Sequence, residues 1–240
     1  MTPLILIPAR MAASRLPGKP LADIGGVPMI VRVLRRAEGA GLRVAVAAGD
    51  QEIVDAVQAA GGEAVLTAPS LPSGTDRIKA AADILDPGRT HDVVVNLQGD
   101  MPFVDPGVIT ACVDLLGEEP ACDIATCVAT EASAADRSAP SVVKAVLAMR
   151  PAGRAGRALY FTRSTLYGEG PVWRHLGLYG YRRDALDRFT AAAPSALERR
   201  EGLEQLRALE LGMSIWAAVV DQAPISVDTP EDLEAARAAV

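Results

Sequence analysis

At 240 residues the chain has room for one large domain or two small ones, enough to bury most of its apolar surface. Half of the residues are hydrophobic and 22% are charged, an ordinary globular balance that excludes disorder. The formal charge of −6 argues against a general nucleic-acid binder, although an acidic protein can still hold a local basic pocket.

In chain order, the apolar run "LILIP" at 4–8 predicts a buried strand, too short and without the basic flank of a signal peptide. A helix ended by glycine is predicted over 28–41, a strand over 43–49 and a helix over 50–62. A third strand follows over 64–68, then a helix over 73–85 with polar residues at its start. The longest β-branched run spans 92–100 and precedes a helix over 105–119. Strands alternating with helices of this length predict a parallel sheet covered on both faces. Ligands of such sheets bind at the carboxyl ends of the strands, which places "PAR" at 8–10 and "QGD" at 98–100 on one side.

Beyond 120 the pattern loosens. Strands are predicted over 123–130 and 141–149, and the Gly- and Arg-rich 150–175 reads as a segment able to include a mobile lid. "HLGLYGYRRDALDRFT" reads as a short strand entering a helix, 195–212 as one helix and 213–221 as a strand. A last helix over 229–239 has Thr229 as N-cap and Pro230 at its first position. With no internal repeat or low-complexity linker, 1–240 reads as a single domain with an inserted subregion.

Cys112, Cys122 and Cys127 are odd in number and form no CxxC pair, which fits reduced thiols and neither a disulfide framework nor a zinc site. No apolar run approaches the roughly 20 residues that span a bilayer. A soluble cytoplasmic protein with no membrane association is therefore expected.

The chemistry gathers after the first strand. Arg10, Arg15 and Lys19 sit in a loop stiffened by Pro8, Pro17, Gly18 and Pro20. Lysine is rare, with Lys19, Lys79 and Lys144 among 24 basic residues, so Lys19 is a poor candidate for surface decoration. Such loops expose backbone N–H groups, and cationic side chains complete a cradle for phosphates. The loop is neither a P-loop nor a GxGxxG fingerprint, which disfavours a dinucleotide-binding dehydrogenase.

The stretch "IPARMAASRLPGKPL", followed in order by "SGTDR", "NLQGD", "RHLGLYGY", "LEQLR" and "VDTPEDLE", resembles the 3-deoxy-manno-octulosonate (Kdo) cytidylyltransferase family over nearly the whole chain. The resemblance implies a Rossmann-like α/β nucleotidyltransferase fold, with a mostly parallel central sheet, helices on both faces and a smaller inserted subregion. It further implies transfer of CMP from CTP to the anomeric hydroxyl of Kdo, with release of pyrophosphate, for lipopolysaccharide assembly. Arg10, Arg15 and Lys19 would hold the triphosphate. Asp100 and Asp228 would bind Mg²⁺, each having a bland alternative as a turn or cap residue. Pro8 and Ala9, with Ser73 and Arg77, would meet cytosine or its ribose; Ser73 equally suits an N-cap and Arg77 an exposed helix face.

For the acidic sugar the resemblance points to Gln98, Arg163, His175, Tyr179, Glu204 and Gln205. His91 receives no role. A homodimer is implied, through a lid or dimerisation region at 130–190. The chain departs from the family pattern where "QGDEP" reads "QGDMP", placing Met101 beside Asp100. The segment between Arg163 and His175 is also shorter than the family's. The rival readings are a cytidylyltransferase for sialic acid or 8-amino-Kdo, and a non-catalytic nucleotide-binding regulator.

Overall fold

The computed structural model describes residues 1–12, 16–131, 134–151 and 153–240. In chain order the elements are β1 (Pro3–Ala9), a 3-10 turn (Lys19–Leu21), β2 (Asp23–Ile24), β3 (Val27–Pro28), α1 (Met29–Glu38), β4 (Arg43–Ala48), α2 (Gln51–Ala59), β5 (Ala64–Leu66), α3 (Gly74–Leu85), β6 (Val93–Asn96) and α4 (Pro106–Glu118). There follow β7 (Ile124–Glu131), α5 (Ala134–Ser138), β8 (Lys144–Met149), β9 (Ala155–Thr162), β10 (Val172–Arg182), α6 (Arg183–Ala191), α7 (Ala196–Glu201), α8 (Gln205–Glu210), β11 (Ile215–Val220) and α9 (Pro230–Ala238). The chain forms two compact units, Met1–Ile109 with Pro224–Val240, and Thr110–Ala223.

The first unit carries the predicted parallel strands in the order β5, β4, β1, β6. Leu4, Ile5, Leu6 and Ile7 of β1 are fully buried, as a strand with helices on both faces must be. Each such side chain contributes about 2 kcal/mol by leaving water. Helix α1 buries Met29, Ile30, Val33, Leu34 and Ala37 on one face, the 3.6-residue period read from the sequence. Ile24, Met29, Val227, Leu233 and Ala236 form a further apolar cluster, with Leu16, Ala22 and Phe103 packed on it. That cluster seats α9 on the β2–β3 ribbon, an element the sequence pattern did not reveal.

Asp86 ends α3 and closes the turn that follows. Its carboxylate accepts from Thr90 N and Oγ1, both at 2.8 Å, and from His91 N at 2.9 Å. Burial pushes this carboxyl up, but the donors outweigh it and hold the group at about 2 against the usual 3.8. A depressed carboxyl stabilises the fold above its unfolded value and loses that contribution as the pH falls through its folded value. Asp86→Ala is therefore expected to cost about 2 kcal/mol at neutral pH. The deficit should shrink as the pH falls from 3.8 toward about 2. Urea midpoints of both proteins across that range check this, and a pH-independent deficit would contradict it.

The second unit is built on mixed pairing. Strand β7 pairs β11 in parallel and β10 antiparallel, while β9 lies antiparallel to both β11 and β8. One segment without predicted elements gains strands here, and one expected helix is divided. The Gly- and Arg-rich 150–175 contains β9 and the start of β10; residues 156–159 alternate buried and exposed with a strand's period of two, and both ends of β9 are buried. The helix expected over 195–212 is two helices, α7 and α8, separated at Gly202, whose φ of +64° ends a helix. Strand β10 is also longer than predicted, eleven residues with a register shift between Leu176 and Tyr179. A buried bidentate pair of Arg207 with Glu198, at 2.6 and 2.7 Å, ties α8 to α7.

Cys112, Cys122 and Cys127 are buried free thiols, and burial pushes Cys122 up to about 12. No helix of the described residues is long and apolar enough to cross a membrane.

Candidate active site

The first unit brings nine of the sequence-predicted residues to one cleft of about 320 Å³ at the carboxyl ends of β1 and β6. Pro8, Ala9, Arg10, Lys19, Ser73, Arg77, Gln98, Asp100 and Asp228 all line it. Arg15, the remaining cation of the loop, lies outside the described residues.

The loop after β1 is held by local chemistry. Asp50 accepts from Met11 N at 2.7 Å, and Gly18 N donates to Met11 O at 3.2 Å. Gly18 adopts φ +70°, a left-handed conformation that favours glycine, and this starts the turn that presents Lys19. Across the cleft, a Cβ at Gly99 would lie 3.0 Å from Pro8 O, so only the bare backbone lets "QGD" pass this close to the end of β1.

Lys19 Nζ lies between the two aspartates, 3.0 Å from Asp100 Oδ2 and 3.1 Å from Asp228 Oδ1. The backbone segments that carry the two aspartates are joined directly: Val227 N donates to the main-chain carbonyl of Asp100 at 2.9 Å. Asp232 Oδ2 accepts from the N–H groups of Asp228 and Thr229, at 2.9 and 2.8 Å, while Thr229 Oγ1 caps α9 in return. Burial pushes the Asp100 carboxyl up, against the pull of Lys19 and with the Asp228 charge adding to the rise. Two negative oxygens within 3.1 Å of one cation are a fitting donor set for a hard ion. Among the described residues no group of three or more His, Cys, Asp or Glu converges as a metal site. A divalent ion here would therefore take these two carboxylates and complete its shell from phosphate and water, the usual habit of Mg²⁺.

Arg77 is buried, not on an exposed helix face. Its Nη1 donates to Thr67 Oγ1 at 2.6 Å and Ala68 O at 3.3 Å, and its Nη2 has no partner among the described residues. Burial lowers the guanidinium and the Arg10 charge lowers it further, with Asp50 opposing. Ser73 does cap α3, accepting from Asp76 N at 3.1 Å, so its structural alternative is realised. Gln98 Nε2 donates to Asn96 Oδ1 at 3.2 Å.

The other predicted sugar residues belong to the second unit. His175 and Tyr179 lie on β10 with ring centroids 5.4 Å apart, and Phe161 meets the imidazole edge-on at 4.9 Å. Thr126 Oγ1 donates to Leu178 O at 2.7 Å, so at 3.0 Å from His175 Nε2 it accepts, and Nε2 carries the proton. Burial pushes this imidazole down to about 3, keeping it neutral with Nδ1 as an acceptor. Burial, with Tyr181 and Glu204 nearby, pushes the Tyr179 phenol well up. Glu204 stands at the start of α8, 4.0 Å from Arg207, and the buried Gln205 Nε2 has no partner among the described residues. Arg163 follows β9 and donates through Nη1 to Pro140 O at 3.0 Å.

Sequence reasoning missed Asp50 and Asp232, which hold the cleft's backbone. The Thr229–Asp232 spacing of a capping box was the available signal for the second; nothing in the sequence marks the first.

A cationic cleft with paired carboxylates at the ends of parallel strands suits nucleoside-triphosphate chemistry. The family model for cytidylyltransferases matches residues 4–215. The chain is 58% identical to the 3-deoxy-manno-octulosonate cytidylyltransferase of Parvibaculum lavamentivorans, over 99% of this chain and 92% of the relative. It is 57% identical to the enzyme of that name from Rhodospirillum centenum, over 98% and 92% of the two chains. A solved structure of CMP:2-keto-3-deoxy-manno-octonic acid synthetase complexed with CTP superposes with a TM-score of 0.90 at 39% identity, covering 100% of this chain and 98% of the other. The chain belongs to the 3-deoxy-manno-octulosonate cytidylyltransferase family.

Proposed function

We propose that this chain transfers CMP from CTP to the anomeric hydroxyl of Kdo, giving CMP-Kdo and pyrophosphate. The observation that carries this reading is the cleft at the ends of β1 and β6, lined by Arg10, Lys19 and Arg77, in which Lys19 meets the Asp100–Asp228 pair. The hydroxyl oxygen attacks the α-phosphorus, the bond to the bridging β-phosphate oxygen breaks, and pyrophosphate departs with that electron pair. The hydroxyl proton passes to solvent.

Arg10 and Lys19, with Arg15, hold the triphosphate and stabilise the charge that builds on the leaving group. Asp100 and Asp228 would hold Mg²⁺, which when bound neutralises phosphate charge and polarises the α-phosphate. Pro8, Ala9, Ser73 and Arg77 position the base and ribose, and Arg77 Nη2, without a partner among the described residues, is a donor suited to the acceptor edge of cytosine. Sugar recognition is assigned to Gln98 and to Arg163, His175, Tyr179, Glu204 and Gln205. The neutral His175 accepts a sugar hydroxyl hydrogen at Nδ1, and Arg163 supplies the cation for the carboxylate.

We also propose that 1–240 acts as one functional domain in the cytoplasm and supplies lipopolysaccharide assembly. Residues 130–190 would provide lid and homodimer contacts, and light scattering of the purified chain tests the dimer.

The activity test is pyrophosphate release from CTP and Mg²⁺, with Kdo, sialic acid or 8-amino-Kdo as acceptor. Release that depends on Kdo is expected. Release with another acidic sugar alone would keep the chemistry and change the substrate. Release with none would favour the nucleotide-binding regulator and make Met101 the first residue to revert to glutamate.

A further inference from the structure

We infer that Lys19 is the resident counter-cation of the Asp100–Asp228 pair, and that metal enters this position only once a nucleotide triphosphate has drawn the ammonium away. The inference rests on the reading of these aspartates as metal holders and adds an order of loading to it.

The main chain beneath the two carboxylates is joined before any ligand arrives, by the Val227–Asp100 bond and by the Asp232 cap on residue 228. Both side chains are partly screened from water, Asp100 with 22% and Asp228 with 38% of its side chain exposed, so their mutual repulsion needs a nearby positive charge. Lys19 supplies it from a side chain that is itself 15% exposed. A divalent ion that coordinates carboxylate oxygens at about 2.1 Å competes with an ammonium about 3 Å away, because the two cations repel at that range. Arg10 and Arg77 line the same cleft and add to that barrier while no anion is bound.

The triphosphate reverses the balance. It offers Lys19 several anionic oxygens, and the flexible four-carbon stem can move the ammonium without moving the 3-10 turn that anchors it. Turn residues hold the backbone meanwhile: Lys19 N donates to Leu16 O at 3.1 Å and Ala22 N to Lys19 O at 3.1 Å. Metal and nucleotide affinities are then coupled through one side chain, and the coupling is reciprocal.

Mn²⁺ binding, followed by the electron paramagnetic resonance of the free ion, tests this with wild type, Lys19→Met, Lys19→Gln and Lys19→Arg. Without nucleotide, Lys19→Met and Lys19→Gln should bind Mn²⁺ at least about tenfold more tightly than wild type, and Lys19→Arg should stay near it. Mn²⁺ alone should likewise raise the melting temperature of Lys19→Gln and leave that of wild type unchanged, a readout available if the methionine variant does not fold. Neutral variants that bind Mn²⁺ no tighter than wild type would overturn the inference. If, in addition, Asp228→Asn weakens Mn²⁺ uptake in the presence of CTP, the metal reading survives that failure. If adding Asp228→Asn to Lys19→Met leaves its Mn²⁺ affinity intact, both the inference and the metal reading fall.

Discussion

Asp228→Asn is expected to lower kcat about a thousandfold, the several kcal/mol that a divalent ion held by Asp100 and Asp228 would supply by neutralising phosphate charge. The substitution keeps the shape of the side chain. It also leaves the main-chain N–H of residue 228 on Asp232, so the start of α9 should not move. Lys19 retains Asp100 as a partner at 3.0 Å, and Arg10 and Arg77 remain in the cleft. CTP binding measured without acceptor and without divalent metal should therefore stay within about threefold of wild type, since the metal's share of the binding is then absent from both proteins. Steady-state kinetics beside equilibrium CTP binding separate the two quantities. Unchanged turnover would remove Asp228 from the metal set, and a parallel loss of CTP affinity would make it a nucleotide-binding residue instead.

The second large effect is expected at Arg163. Its backbone is fixed from within the second unit: the fully buried Lys144 donates through Nζ to Arg163 O at 2.8 Å and to Ala139 O at 2.9 Å. One guanidinium nitrogen is spent on Pro140 O at 3.0 Å, and a guanidinium has five N–H groups in all, so further donors remain for a carboxylate. A charge-assisted pair with a sugar carboxylate is worth about 2–3 kcal/mol. Arg163→Ala should thus raise the KM for Kdo about 30- to 100-fold and leave the KM for CTP within about threefold. Arg163→Lys should recover little, because a point charge does not reproduce the planar fork. Loss of CTP affinity alone would place Arg163 on the nucleotide side.

The contrast between the halves of the chain shows what local pattern can carry. In the first unit each strand is a short apolar run and each helix has a periodic face, so β1, α1, β4, α2 and β6 were legible to within a few residues. The β2–β3 ribbon was not, since each of its strands is two residues long and carries no period. In the second unit β9 hid behind its Arg and Gly content, and the break at Gly202 lay inside an otherwise helical run. Both depend on a backbone conformation or a face exposure that composition blurs.

The site divides in the same way. The amino-acid sequence determined the residue types and their motifs, and hence the family, because a phosphate-holding loop must spell its prolines, glycine and cations within a few positions. Tertiary structure decided what those residues meet. Lys19 reaches aspartates 81 and 209 positions away, and nothing local to any of the three predicts that one ammonium would sit between both carboxylates. Arg77 likewise became an inward donor and not a surface charge because α3 turns that face toward Thr67 and the end of β1. Motifs record which groups a reaction needs, while charge pairing and burial follow from distances that the folded chain alone sets.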